Sequence, residues 1–352
     1  MPSARVAKSS AISRRGALRG ATALGVVLPF AGCTALSSAV TLSDAAEITA
    51  DPTLLVVTTR KAVDGARAKP WFGTERASSA GFARARLNPP DQGRFSLSSV
   101  GLGYWSLDRV ELVSRLGELL SPNPARRDVL LYVHGFNQSF ETAALDAARL
   151  SANLHFRGAT MIFTWPSKEK LFDYGYDRES AMWSRDAMER LLTALIANER
   201  IGRIHIVAHS VGTMLSMEAL RQVYARNGMA GIGKIGAVVF ASPDIDMDVF
   251  ASSLQRMPPL APNITVITAT NDRALALAGW IAGGMTRVGA AEKERLENLG
   301  LRVIDASAQG WGIINHDLFL SNDRIAMVIR QAIDGMPDRL TSAAPAQSEP
   351  TR

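Results

Sequence analysis

The sequence predicts an α/β protein with a mostly parallel central sheet and helices on both faces. Short apolar runs alternate with amphipathic helical stretches along the chain, and the runs end in small or polar residues that would gather on one rim of the sheet. A third observation is the segment Ile204-His205-Ile206-Val207-Ala208-His209-Ser210-Val211-Gly212. There an apolar strand drives into a serine and passes at once into a helical pattern at Thr213-Met214-Leu215.

Taken in order, Leu54–Thr58 opens the strand series. Ala83–Leu87 offers a second strand inside a Gly/Pro-rich region from Asp64 to Arg94. The spacing predicts a helix over Leu107–Leu120. Val129–Val133 is a buried strand ending in His134-Gly135-Phe136-Asn137, and Ser139 is placed to cap the next helix, which Gly158 stops. Thr160–Thr164 is a strand ending at Trp165-Pro166-Ser167, and Asp177 to Asn198 reads as one long helix. Beyond Ser210, strands are expected at Ala237–Phe240, Ile264–Ala269 and Leu301–Ile304, and a closing helix at Asp323–Ile333. Strands in this order, each leaving its loop at the carboxyl end, place functional groups on one rim.

At 352 residues, 47% of them hydrophobic, the chain can build a sizeable core. Its formal charge of +6 is carried by the front end: Arg5, Lys8, Arg14, Arg15 and Arg19 precede Cys33, where no acid occurs. The rest holds 34 basic against 33 acidic residues, and no basic stripe with interleaved aromatics is present, so no nucleic-acid partner is expected. Ser13-Arg14-Arg15-Gly16-Ala17-Leu18-Arg19 followed by the apolar run Ala21–Ala31 reads as an export signal with a twin-arginine motif. Leu28-Pro29-Phe30-Ala31-Gly32-Cys33 resembles a lipobox, which makes Cys33, the one cysteine, the expected lipidation site and membrane anchor; the alternative is an uncleaved signal anchor or a plain signal peptide with an incidental cysteine. Residues 1–33 are thus read as signal, 34–53 as a tether, 54–336 as the working domain and 337–352 as a disordered tail. The expected location is the periplasm or outer cell envelope.

Ser210 lies in a strand–turn–helix context that needs little bulk on either side of the serine, the setting of a nucleophile elbow; Ala208 takes the place of the usual first glycine. Serine oxygen attacks poorly until a base takes its proton, and an imidazole base needs an acid to fix its tautomer. Hydrolases built on such an elbow run Ser, then Asp or Glu, then His. Of His134, His155, His205, His209 and His316 only the last follows Ser210, so His316 is the expected base. Asp244 and Asp272 both stand at strand ends; Asp272, after the penultimate strand, is the expected acid, and Asp244 the alternative or a helix cap. The backbone N–H groups of Phe136 and Val211 are the expected oxyanion donors. Trp165 and Tyr174 would line the cleft or serve as core aromatics. Ala274–Met285 would be a lid or a buried helix. No metal or other cofactor is expected, since no His/Cys/Asp cluster has ligand spacing.

Tyr132–Asn137, Thr164–Ser167, Tyr174–Asp177, Ala208–Gly212, Asn271–Leu275 and His316 together resemble a bacterial group of α/β-hydrolases, lipase- or esterase-like, whose substrates are undefined. The resemblance spans Leu54 to Ile333. It implies the α/β-hydrolase fold and a serine-hydrolase triad but no particular substrate; the activity expected of the whole is hydrolysis of small-molecule or lipid carboxylic esters or thioesters. Two other readings stay open on the same fold: a non-catalytic envelope module that binds a ligand or protein, and a peptidase or acyltransferase.

Overall fold

The computed structural model describes residues 53–88, 105–120, 127–269, 272, 275, 284, 286–307, 320 and 322–335. The export signal with Cys33, the tail from 337, His316 and all of Ala274–Met285 except Leu275 and Gly284 lie outside the described residues.

Nine strands form one sheet among the described residues. They are β1 (Thr53–Ala62), β2 (Phe72–Asn88), β3 (Ser106–Val113), β4 (Arg127–Val133), β5 (Ala159–Thr164), β6 (Ile201–His209), β7 (Ile235–Ala241), β8 (Ile264–Thr268) and β9 (Arg302–Asp305). The spatial order is β3-β2-β1-β5-β4-β6-β7-β8-β9. All neighbours from β1 to β9 pair in parallel, and β2 and β3 add an antiparallel edge. This is the α/β-hydrolase architecture that the sequence predicts.

Side chains alternate across each strand, so each strand feeds two cores. On one face Leu130 and Tyr132 of β4 and Val207 of β6 meet Phe140, Ala144 and Leu150 of α2 (Phe140–Asn153) and Ile325 and Ile329 of the C-terminal helix (Asp323–Asp334). On the other, Leu131, Val133 and Ile206 meet Leu191 and Leu215, from the helices Arg185–Ala197 and Val211–Ile232. The central strands are apolar on both sides because both sides are covered, and each fully buried Leu or Phe contributes about 1.5–3 kcal/mol.

Two expectations need correction. Leu107–Leu120 is not one helix: Ser106–Val113 is the edge strand β3, followed by the short helix α1 (Leu116–Leu119). The buried residues Leu107, Val110 and Val113 imitate a helical spacing for two reasons. A bulge that leaves Asp108 extra, since Arg86 pairs with Arg109 and Leu87 with Leu107, keeps Leu107 and Val110 on one face. Val113 is buried in the core on the other face. The long helix over Asp177–Asn198 is two, α3 (Tyr174–Trp183) and α4 (Arg185–Ala197). They part at Ser184, whose hydroxyl bonds back to the Ser180 carbonyl (2.9 Å) and meets the Thr59 hydroxyl (2.8 Å).

The chain runs from β4 to β5 on one side and then crosses to β6 on the other. The loops after β4 and β6 therefore face each other across the point where strand order reverses, where α/β sheets bind ligands.

Candidate active site

Ser210 joins β6 to α5 (Val211–Ile232) with φ 49° and ψ −121°, a backbone state that few residues other than glycine adopt. Its neighbours impose it. The Ser210 N–H donates to the Ala241 carbonyl (3.0 Å), and the Ser210 carbonyl accepts from the N–H groups of Thr213 (3.0 Å) and Asp244 (3.3 Å). Ala208 is fully buried, so alanine fills the first small position without distortion. At the second position only hydrogen fits: a methyl group on Gly212 would collide with the His134 carbonyl oxygen and come within 2.8 Å of the Val133 one. The Ser210 side chain is 5% exposed and makes no hydrogen bond to any described residue.

Against this elbow rests the loop after β4. A methyl group on Gly135 would lie 3.0 Å from Ser210 Cβ, so glycine is required there for approach. The next N–H, that of Phe136, has no acceptor among the described residues. The Val211 N–H stands at the first position of α5, where no intrahelical acceptor exists. Two backbone donors without acceptors among the described residues thus flank Ser210.

His134 sets the direction of the first. It is wholly buried, its ring stacked on Trp165 at 4.7 Å between centroids. Burial, and then the charge of Arg60, push its pKa down to about 3, so the imidazole is neutral. The Trp165 N–H donates to His134 Nε2 (3.1 Å), which leaves the proton on Nδ1 to donate to the Gly135 carbonyl (2.8 Å). In a trans peptide the N–H opposes the C=O, so holding the Gly135 carbonyl aims the Phe136 N–H the other way. Trp165, expected to line the cleft or the core, is fully buried, and its indole N–H donates to the His134 carbonyl (3.1 Å).

Arg60 lies under the same loop, 1% exposed, and donates to the Gln138 carbonyl, to Thr164 Oγ1 (2.9 Å) and to the Gly73 carbonyl (3.3 Å). Burial lowers its pKa to about 10, which leaves it charged at neutral pH, with Glu169 3.6 Å away. Nothing in the local sequence marks its role beyond a cation at the end of an apolar strand; its partners come from segments 13 to 104 residues distant.

Of the two acids, Asp244 is already engaged. Tyr174 donates to its Oδ2 (2.6 Å), while Arg287 Nε (3.1 Å) and Arg178 Nη1 (3.7 Å) face Oδ1. Burial, and then the Asp244 charge, push the Tyr174 phenol up to about 12. The Tyr174 ring packs edge-on against Phe136 at 5.4 Å, so Tyr174 sits between Asp244 and the loop after β4. Asp272 lies just past β8, 4% exposed; its Oδ1 accepts the Leu275 N–H (3.1 Å) and its own N–H donates to the Ala269 carbonyl. The structure thus brings Ser210, Val211, Phe136, Tyr174 and Asp244 together, and sets Asp272 at the carboxyl end of a neighbouring parallel strand. Arg287 and Arg178 escaped the sequence reading, because an ion pair between residues 43 and 66 positions apart leaves no local trace.

Among the described residues no group of three or more His, Cys, Asp or Glu could hold a metal ion. No described helix is long and apolar enough to cross a membrane.

Several solved structures are similar to this chain in part. A cutinase-like protein from Cryptococcus sp. is 14% identical, with 59% of this chain and 93% of that one covered and a TM-score of 0.34. Est1E from Butyrivibrio proteoclasticus is 11% identical, covering 71% and 93%, with a TM-score of 0.38. The catalytic core domain of an acetyl xylan esterase from Trichoderma reesei is 10% identical, covering 60% and 100%, with a TM-score of 0.37. An uncharacterized protein from Nostoc sp. is 33% identical over 61 residues; the match spans 17% of this chain and 16% of that relative's length. The family model described as alpha/beta hydrolase of unknown function (DUF900) matches residues 111–332, most of the chain, and the protein belongs to that family.

Proposed function

We propose that the protein is a serine hydrolase that cleaves carboxylic esters or thioesters through an acyl-enzyme on Ser210. The observation that carries this reading is the strained serine between two backbone donors that have no acceptor among the described residues, Phe136 N–H and Val211 N–H. Ser210 Oγ attacks the carbonyl carbon while His316 takes the hydroxyl proton, and the two N–H groups hold the developing oxyanion. Collapse expels the alcohol or thiol, which receives that proton from His316. Water then attacks the acyl group by the same route and frees Ser210. Asp272 fixes the His316 tautomer and stabilises its cation.

The assignment of His316 rests on chain order, since it is the one histidine after Ser210. The preference for Asp272 gains support from the engagement of Asp244 with Tyr174, Arg178 and Arg287, which leaves Asp244 little freedom to orient an imidazole. The substrate is a small-molecule or lipid ester, and the working location is the cell envelope, with attachment to a membrane through Cys33.

The experiment is a graded series of nitrophenyl esters together with a fluorophosphonate probe. Hydrolysis and labelling in the wild type, both abolished in Ser210→Ala, are the expected result. A wild-type chain that does neither sinks the proposal.

A further inference from the structure

The Tyr-x-x-Asp segment Tyr174–Asp177 ends in a carboxylate with no part in the proposed proton relay. Asp177 is fully buried in the first turn of α3, where desolvation works against its ionised form. Three donors answer it. The Asn137 N–H (3.2 Å) and the Ser167 hydroxyl donate to Oδ2, and the Lys168 N–H (2.8 Å) to Oδ1. One carboxylate therefore fastens the loop after β4 to the loop after β5.

The first of those donors matters most. Asn137 stands at φ 57°, an uncommon state for a side chain larger than hydrogen, and its N–H belongs to the peptide next to the one that carries the Phe136 N–H. His134 holds the Gly135–Phe136 peptide by its carbonyl; Asp177 holds the Phe136–Asn137 peptide by its N–H. Phe136 is the pivot between two fixed planes, with little freedom left in its own φ and ψ. Without Asp177, the second plane loses its anchor and the positive φ at Asn137 loses its reason to persist.

We infer that Asp177 is a positioning residue for the oxyanion site, acting through the Asn137 peptide to hold the Phe136 N–H on the reacting carbonyl oxygen. The inference rests on the serine-hydrolase reading above and adds to it a residue outside the triad. A donor held in advance stabilises the transition state more than the bound ester, so its loss falls on kcat rather than on KM.

The test compares wild type with Asp177→Asn and Ser167→Ala. Asparagine keeps the shape and one acceptor oxygen but turns an amide N–H toward one of the three donors. Ser167→Ala leaves the carboxylate in place and removes the donor that fixes its rotamer. Rates are expressed per fluorophosphonate-titrated Ser210, so that unfolded molecules do not enter. Asp177→Asn is expected to lower kcat about 10- to 100-fold, part of the loss seen when an oxyanion donor is deleted outright, with KM within about threefold. Ser167→Ala should shift kcat in the same direction by a smaller factor. The affinity of an alkyl boronic acid, whose tetrahedral adduct places an oxygen in the same position, should weaken by the same factor as kcat/KM. Wild-type kcat per titrated site in both variants overturns the inference, as does a fall in kcat with boronate affinity unchanged. A wild type that neither hydrolyses esters nor takes the probe fails at an earlier step and removes the hydrolase reading itself.

Discussion

The backbone of Gly135 leans directly on Ser210: a methyl group at Gly135 would sit 3.0 Å from Ser210 Cβ and 2.8 Å from His209 Nδ1. Gly135 does not have a positive φ, so space alone demands the glycine. Gly135→Ala should therefore push the loop off the elbow, which displaces the Phe136 N–H while leaving the sheet beneath intact. A fall in kcat of about 100-fold on a nitrophenyl ester, with the urea unfolding midpoint little changed, is the expected outcome. A variant with wild-type kcat would show that the loop does not serve the reaction.

The two acids should separate by what they damage. Asp244→Asn withdraws a buried anion from Arg287, itself 3% exposed, and from Arg178, and should cost about 3–5 kcal/mol of stability in urea unfolding. Asp272→Asn should lower kcat about 10²- to 10⁴-fold with a smaller stability loss. If the Asp244 variant is stable but inactive and the Asp272 variant keeps its rate, the acid assignment reverses.

Acid sensitivity of the fold should trace in part to His134. Its pKa is about 3 in the folded chain against 6.5 for an ordinary histidine, so the unfolded chain takes up this proton first as pH falls. Its contribution is complete above pH 6.5 and declines toward pH 3, by up to about 1.4 kcal/mol per pH unit. His205, also lowered by burial, acts with the same sign. Asp177 and Glu169, both raised by burial, act oppositely, since folding favours their neutral forms. Urea unfolding of wild type and His134→Gln at several pH values between 7 and 4 isolates the histidine. The wild type should lose stability more steeply by up to one proton's slope, and identical slopes would refute the assignment.

The parallel strands were legible because full burial on both faces turns them into apolar runs such as Val129–Val133 and Ile204–Ala208. The antiparallel edge was legible only at Ala83–Leu87, which lies within β2. The rest of β2 carries Ser, Gly and Arg among few apolar residues. In β3 the bulge at Asp108, together with the turn of Val113 toward the opposite core, gives buried residues the spacing of a helix. Ser210 and the His134–Asn137 loop announced themselves because their chemistry is local: small residues, a strand before and a helix after. The groups that hold them did not. Arg60, Arg178, Arg287 and the clamp role of Asp177 depend on partners far along the chain, which folding alone brings near.

A cation sealed in protein is a charge that dissolved ions cannot surround. Arg60, 1% exposed beneath the loop that carries Phe136, projects its field through packed side chains rather than through electrolyte. That field has the sign that favours negative charge on a reacting oxygen; Glu169, 3.6 Å away and 40% exposed, offsets part of it, so ionic strength should act mainly through that partner. In brine or in dilute buffer, the guanidinium beneath the rim keeps its charge.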